Sequence, residues 1–167
     1  GAMQLFGNEG ADTVDTAASS AAQTIVGGDN SSDGNDTILA GGGADLVFGN
    51  GGNDTIEAAG GANTVYSGFG DDSIRASAAG LYFGNQGADR INLNPSPAGA
   101  TVVGGNDSAD GGDFVDGSIQ NDLVFGNGGN DTLNTALGAD TAIGGFGNDD
   151  ANLPGGGLFF GNEGNDS

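Results

Sequence analysis

The fold is decided by a unit of nine residues, which is clearest in GNGGNDTIE at residues 49–57. Each copy has glycine at its fourth position and aspartate at its sixth, and usually an apolar residue at its eighth. Glycines permit the positive φ angles of a tight turn, and the short tail with an apolar centre suits a β-strand. The unit therefore predicts a turn followed by a three-residue strand. Other copies are GNEGADTVD (7–15), SGFGDDSIR (67–75), GNQGADRIN (84–92), GNGGNDTLN (126–134) and GGFGNDDAN (144–152).

A longer period is superimposed on the nine-residue unit. The tripeptide Phe-Gly-Asn recurs at spacings that alternate between 42 and 35 residues, so the chain repeats itself every 77 residues. This shift carries Asp12 onto Asp89, Asp54 onto Asp131 and Asp72 onto Asp149. We therefore predict one repeat domain over residues 4–167, with copies at 13–89 and 90–166, and interpret residues 1–3 as a cloning remnant.

Composition excludes several classes of function. Among 167 residues there are 37 glycines, 23 acidic residues and two basic ones, giving a formal charge of −21, and there is no His, Cys or Trp. Nucleic-acid binding needs clustered basic residues, and histidine or cysteine catalysis needs side chains that the chain lacks. No apolar run is long enough for membrane insertion. Such an acidic chain could be a disordered linker, but the repeat argues against this, and the missing counter-ions point to hard cations such as Ca²⁺.

The unit resembles the pattern G-G-x-G-x-D-x-U-x of the RTX (repeats-in-toxin) calcium-binding family, and it does so over nearly the whole chain from Gln4. The resemblance implies an all-β fold, a right-handed parallel β-roll (β-solenoid) with two nonapeptides in each coil of about 18 residues. It also implies several Ca²⁺ ions between successive coils. The ligands would be the aspartate carboxylates and the carbonyl oxygens of the glycine-rich turns.

Alternate units fall on opposite edges of such a roll, and the two edges differ. On the first edge every turn ends in aspartate, whereas the second edge has aspartate at only three turns and asparagine at Asn63. We therefore predict a nearly complete calcium column on the first edge and a partial one on the second. First-edge candidates are Asp12, Asp36, Asp54, Asp72, Asp89, Asp113, Asp131, Asp149 and Asp166, and those of the second edge are Asp45, Asp122 and Asp140. Candidate carbonyl donors lie near Gly7, Gly10, Gly27, Gly49, Gly52, Gly70, Gly84, Gly87, Gly104, Gly126, Gly129, Gly144 and Gly147.

The two 24-residue steps along the first edge contain longer turns, at residues 27–36 and 104–113. We call these the widened turns. Their acidic residues, Asp29 and Asp33 in one and Asp107 and Asp110 in the other, either bind an extra ion or form a solvated acidic bulge.

One sheet of the predicted roll carries two adjacent apolar columns. The eighth position should face inward and the ninth outward, which leaves an apolar stripe on the outer face and predicts packing against a second copy or a neighbouring domain. The alternative is that the shortened turns shift the frame and fold this column into the core. The stripe consists of Phe6, Val26, Phe48, Tyr66, Phe83, Val103, Phe125, Ile143 and Phe160.

The function expected from these features is a non-enzymatic, calcium-dependent structural module. The resemblance implies a secreted bacterial protein that leaves by type I secretion and is extracellular or at the cell surface. The stripe favours surface-layer or adhesin-like assembly, and the absence of capping elements suggests a slice of a longer array. Two alternatives are an accessory module of a secreted RTX enzyme and an ice- or carbohydrate-binding β-solenoid of an adhesin. The row expected to bind ice, beginning at Thr13, Thr37 and Thr55, is interrupted by Arg90 and Phe114.

Overall fold

The computed structural model describes residues 1–167 and consists of β-strands joined by turns. Seventeen short strands run along the chain, and there is no helix, hence none that could span a membrane. The strands are β1 (Gln4–Phe6), β2 (Thr13–Asp15), β3 (Thr24–Val26), β4 (Thr37–Ala40), β5 (Leu46–Gly51), β6 (Thr55–Ala58), β7 (Asn63–Phe69), β8 (Ser73–Ala76), β9 (Gly80–Gln86), β10 (Arg90–Asn92), β11 (Thr101–Gly105), β12 (Phe114–Asp116), β13 (Leu123–Gly128), β14 (Thr132–Asn134), β15 (Asp140–Phe146), β16 (Asp150–Asn152) and β17 (Gly157–Glu163).

The strands form two parallel sheets. Odd-numbered strands make a nine-stranded sheet in chain order, and even-numbered strands make an eight-stranded sheet, also in chain order. Each strand pairs with the strand one coil away in a register set by the repeat, as when Ile56 pairs with Ile38 on one side and Ile74 on the other. The predicted all-β parallel roll, with coils of about 18 residues, is confirmed.

The core lies between the sheets and is built mainly from the eighth position of each unit, with apolar residues of the second-edge turns added to it. Nineteen apolar residues are buried there, mainly Val, Ile, Leu and Ala. Tyr82 is the largest of them, and its hydroxyl donates to the carbonyl oxygen of Ala78 at 2.9 Å, so the one polar atom of this side chain is satisfied. Small and β-branched residues suit this core because only two facing layers of side chains fill it.

The apolar stripe lies on the outer face of the odd-stranded sheet. Phe6 and Phe160 are 59% and 49% exposed, and the residues between them are half-buried by their neighbours in the column. The rings of Phe48, Tyr66 and Phe83 stack, with centroids 5.4 and 4.7 Å apart. The alternative in which this column folds inward is wrong. The shortened turn before β9 omits turn residues and not strand residues, so Tyr82 still pairs with Val65 and faces the core.

The outer face of the even-stranded sheet is polar. The row that begins at Thr13 and Thr37 is aligned in register along this face, and Arg90 and Phe114 interrupt it. The Arg90 guanidinium lies 4.1 Å from the centre of the Phe114 ring, while Arg75 forms an exposed ion pair of 3.9 Å with Glu57. Exposed pairs of this kind contribute little to stability.

Candidate metal centre

The nine first-edge aspartates form one continuous column. Each lies at the end of a turn that leads from an odd-numbered strand to the following even-numbered strand. In eight successive steps, Oδ1 of one aspartate accepts a hydrogen bond from the backbone N–H of the aspartate one coil before it, at 2.7–3.0 Å. These bonds fix the carboxylates in register, because a hydrogen bond to an ionised acceptor is short and directional.

The second carboxylate oxygen of these residues is left without a partner. Eight of the nine Oδ2 atoms are buried and accept no hydrogen bond, those of Asp12, Asp36, Asp54, Asp72, Asp89, Asp113, Asp131 and Asp149. A buried oxygen of this kind is costly, and one such atom per coil is far more than folded proteins usually tolerate. The column therefore presents a row of oxygens that need a positively charged or hydrogen-donating partner.

Except at Asp72, each of these Oδ2 atoms faces the first residue of its turn, a glycine whose missing side chain leaves space for the carboxylate oxygen. A Cβ added at Gly84 would lie 2.6 Å from the carbonyl oxygen of Gly104 in the next coil, and closer still to Asp89 Oδ2. At Gly126 the corresponding atoms are Gly144 O, at 2.7 Å, and Asp131 Oδ2. We call this space the glycine cradle. It recurs at Gly7, Gly27, Gly49, Gly84, Gly104, Gly126, Gly144 and Gly161, each facing the Oδ2 of its own turn.

The donor atoms of the cradle fit a hard cation. Carboxylate and carbonyl oxygens are the ligands that Ca²⁺ takes, six to eight at a time. The acidic side chains form no cluster of three or more, so carbonyls from adjacent coils would have to complete the coordination shell. The glycines at the fourth position, Gly10, Gly52, Gly70, Gly87, Gly129 and Gly147, have φ between 104° and 129°, which a residue with a Cβ rarely adopts.

Burial changes the protonation of the column. Desolvation raises the pKa of Asp113 to about 8, of Asp54, Asp89 and Asp131 to about 7, and of Asp72 to about 6. The amide hydrogen bond to each carboxylate opposes this shift. Without a cation, several of these groups would hold a proton near neutral pH. Binding a cation there would release those protons.

This shift has a definite sign for the calcium-free chain. The pKa of each of these carboxyls is higher in the folded state than the usual 3.8, so the folded state binds more protons than the unfolded state above about pH 4. In excess chelator, the folded fraction is therefore expected to rise as the pH is lowered from about 8 to about 5. Circular dichroism at a series of pH values measures it. In saturating calcium the folded fraction should no longer rise on acidification. A folded fraction that falls on acidification in chelator would contradict the expectation.

The predicted ligands of the second edge have different surroundings. The backbone N–H of Ser118 donates to Asp122 Oδ2 at 2.7 Å, and the Ser118 hydroxyl donates to Asp122 Oδ1 at 2.9 Å. Both oxygens of this carboxylate are therefore satisfied within the protein. Asn63 donates its side-chain N–H to Gly60 O at 3.1 Å. Asp45 and Asp140 each retain a buried, unpaired Oδ2. Their assignment as calcium ligands remains a prediction.

The first position of the turn also distinguishes the edges. On the second edge glycine stands there only at Gly117, and six of the turns carry a side chain that is buried in the roll, Thr16, Ala40, Ala58, Ala76, Leu93 and Thr135. Sequence reasoning named seven of the first-edge glycines at this position as candidate carbonyl donors but did not compare the position between the two edges. The sequence does contain this difference, because the first position of the turn is glycine at every first-edge turn but one.

The widened turns use their acidic side chains for backbone hydrogen bonds. Asp33 accepts N–H groups from Gly10, Gly34 and Asp29, at 2.6–3.0 Å, and Asp110 does the same with Gly87, Gly111 and Asn106, at 2.8–3.0 Å. Gly10 and Gly87 belong to the coil before. These carboxylates therefore cap the turn and bind it to its neighbour, which favours a structural role over an extra ion. Asp29 and Asp107 do not occupy equivalent places in the two copies.

A parallel β-solenoid with oxygen-lined cradles between its coils defines a class of structural, calcium-binding repeat modules. The model of the RTX calcium-binding nonapeptide repeat (4 copies) matches residues 18–56, 30–65, 48–78, 107–142 and 116–151. These matches cover more than half of the chain, which therefore belongs to the RTX calcium-binding repeat family. The roll of this family is a structural module and is not typically catalytic. No curated protein was found to match the chain.

Proposed function

We propose that this chain is a module of a secreted bacterial protein whose coils are joined by Ca²⁺ ions along the first edge. The observation that carries the proposal is the row of buried, unpaired Oδ2 atoms, five of which face a cradle that is lined by a carbonyl oxygen of the next coil. RTX repeat proteins are typically secreted from bacteria, and calcium is plentiful outside the cell. Secretion by the type I route is part of the proposal.

The residues of the chain would act in three ways. The glycine at the first position leaves room for the ion, the Oδ2 of the same turn supplies negative charge, and carbonyls from two coils supply the remaining oxygens. Since the ligands come from neighbouring coils, binding joins those coils. The chain carries a charge of −21, and stacked carboxylates repel each other when no cation is present. The free energy of binding therefore becomes free energy of folding.

Far-UV circular dichroism during a calcium titration tests this proposal. At neutral pH in excess chelator the chain is expected to be largely unfolded, because the roll without ions contains an uncompensated carboxylate column. Micromolar to millimolar calcium should produce a cooperative gain of β-structure. Magnesium at the same concentration should not, because Mg²⁺ demands a smaller octahedral site and loses its waters reluctantly. A chain with the same β-content in chelator and in calcium would overturn the proposal.

We further propose that the apolar stripe joins two copies of this chain. The outer face of the odd-stranded sheet carries no charged residue at the seventh or ninth position of its units, although the chain has 23 acids. The column at the ninth position runs over nine coils, or about 40 Å. Exposed Phe69 and Phe146 extend the apolar area at the ends of β7 and β15. An apolar surface of this length is unusual for a monomer.

The alternation of large and small side chains on the outer face of the odd-stranded sheet favours a second copy of the chain over an unrelated partner. From β9 to β17, strands with Leu at the seventh position and Phe at the ninth alternate with strands that have Thr at the seventh and Val or Ile at the ninth, so ridges recur every second coil, about 10 Å apart. Ridges of one copy can lie in the furrows of another copy with the same spacing. Repulsion between two chains of charge −21 opposes this contact until cations neutralise them, so association should require calcium.

Sedimentation velocity tests the self-association. In saturating calcium the chain should sediment as a dimer. The double substitution Phe83→Ser and Phe125→Ser should give a monomer with an unchanged number of bound ions, because these side chains lie on the outer face and the neighbouring cradles are lined by backbone atoms and aspartates. Phe114→Ser, on the polar sheet, is the matched control and should remain dimeric. A calcium-loaded wild-type chain that is monomeric at high concentration would refute this proposal without affecting the calcium column.

A further inference from the structure

One turn of the first edge departs from the others at its first position. Ser67 stands where the other eight turns have glycine, and it is completely buried. Its backbone carbonyl still lines the cradle of Gly49, in the coil before. Its side chain, by contrast, lies where the other eight turns have no side-chain atom on their first residue.

The Ser67 hydroxyl makes a specific contact in that space. It donates a hydrogen bond at 2.7 Å to the carbonyl oxygen of Gly84, the first residue of the next turn along the edge. In the other cradles the equivalent carbonyl, such as Gly104 O or Gly144 O, lies across the open space from the aspartate. The hydroxyl of Ser67 thus binds the same carbonyl oxygen that an ion would contact in another cradle.

We propose that Ser67 closes this one cradle to calcium, so that a serine hydrogen bond replaces an ion between the coils of Asp72 and Asp89. This inference rests on the proposed calcium column and specifies where the column is interrupted. The Cβ of Ser67 takes volume from the cradle, and its hydroxyl uses one of the carbonyl ligands. The link from this turn to the next therefore does not depend on calcium, whereas the other links of the edge do.

The duplication of the chain supplies a matched control. Gly144 occupies the position of Ser67 in the second copy, 77 residues later, and its open cradle faces Asp149. Ser67→Gly should open the closed cradle, and Gly144→Ser should close an open one. Ser67→Gly and Gly144→Ser together should restore the original number of ions at exchanged positions.

Equilibrium dialysis against buffered calcium, with bound calcium measured by atomic emission, gives the number of ions for each variant. Relative to wild type, Ser67→Gly should gain one ion, Gly144→Ser should lose one, and the double variant should be unchanged. Circular dichroism in calcium shows whether each variant is folded. If Gly144→Ser does not fold, Ser67→Gly still decides the question.

Long-wavelength anomalous diffraction from calcium-grown crystals provides a second readout. No anomalous peak is expected between Ser67 and Gly84 in the wild-type chain, and one is expected there in Ser67→Gly. A wild-type peak within about 2.5 Å of Ser67 Oγ would make the hydroxyl a ligand and overturn the inference. Equal ion counts in wild type and Ser67→Gly would also overturn it, while the column itself stands. If no variant binds calcium, the proposed function fails as well.

Discussion

Replacing Asp131 with asparagine is expected to have opposite effects with and without calcium. Asn63 shows that a side-chain amide can form the same hydrogen bond between coils as an aspartate, because its Oδ1 accepts the N–H of Asp45 at 2.8 Å. In Asp131→Asn, however, an NH₂ group can take the place of the unpaired oxygen and face the cradle, where it repels a cation. In calcium the variant should lose at least one ion and unfold at a lower temperature. In chelator it should be more stable than wild type, because burial disfavours the charged form of Asp131 and raises its pKa to about 7.

At pH about 8, thermal unfolding in calcium measures the first effect, and the folded fraction by circular dichroism in chelator measures the second. Asp116→Asn is the matched control, since it removes the same charge from β12, on the outer face of the even-stranded sheet. Asp116→Asn should have little effect on the unfolding temperature in calcium or on the folded fraction in chelator. A loss of stability for Asp131→Asn of equal size in calcium and in chelator would show that the carboxylate has only a structural role.

The second large effect is expected from Gly126→Ala. The added Cβ would lie 2.7 Å from Gly144 O and nearer still to Asp131 Oδ2, which is too close for either contact. Unlike serine, alanine has no hydroxyl to bridge the coils, so the variant should lose an ion and leave the carboxylate unpaired. Overpacking and an unsatisfied buried group together should cost about 3 kcal/mol, which corresponds to a fall of roughly 6–12 °C in Tm.

Gly42→Ala controls for the general effect of replacing a glycine in a turn. Gly42 lies on the second edge, where an added Cβ would meet nothing closer than Ser19 O at 3.7 Å. Differential scanning calorimetry in calcium compares the two variants, and Gly42→Ala should remain close to wild type. If Gly126→Ala keeps its full number of ions and its Tm, the glycine cradle is not the ion site.

The sequence was sufficient for the fold because two periods agree. The nine-residue period predicts a turn and a strand, and the 77-residue period keeps the aspartates in phase, so only a stacked roll satisfies both. The alternation of side chains along each strand then placed Ile56 inside and Glu57 outside, as the structure has them. The class of calcium-binding repeat followed from the same pattern.

Other details depend on contacts that no local pattern encodes. Whether Asp122 has a free oxygen depends on the backbone N–H of Ser118, four residues earlier in an irregular turn, which donates to Oδ2. The role of Asp33 depends on an N–H group 23 residues away, which the stacking of coils brings close. The Ser67 hydroxyl likewise acts on the next coil. At Asp122 the partner is set by the conformation of one irregular turn, and at Asp33 and Ser67 it is set by the stacking of coils. In all three cases the sequence indicates only that a polar residue is present.

The stacked rings on the outer face give the chain an optical property of its own. There is no tryptophan, and the two tyrosines have very different surroundings, Tyr82 in the core and Tyr66 between the rings of Phe48 and Phe83. The interplanar angles in this stack are only 8° and 9°. The three rings come from successive coils, so they are parallel only while those coils are in register. The near-ultraviolet circular dichroism of Tyr66 therefore reports on the stacking of the coils. This signal is independent of the backbone signal and needs no added label.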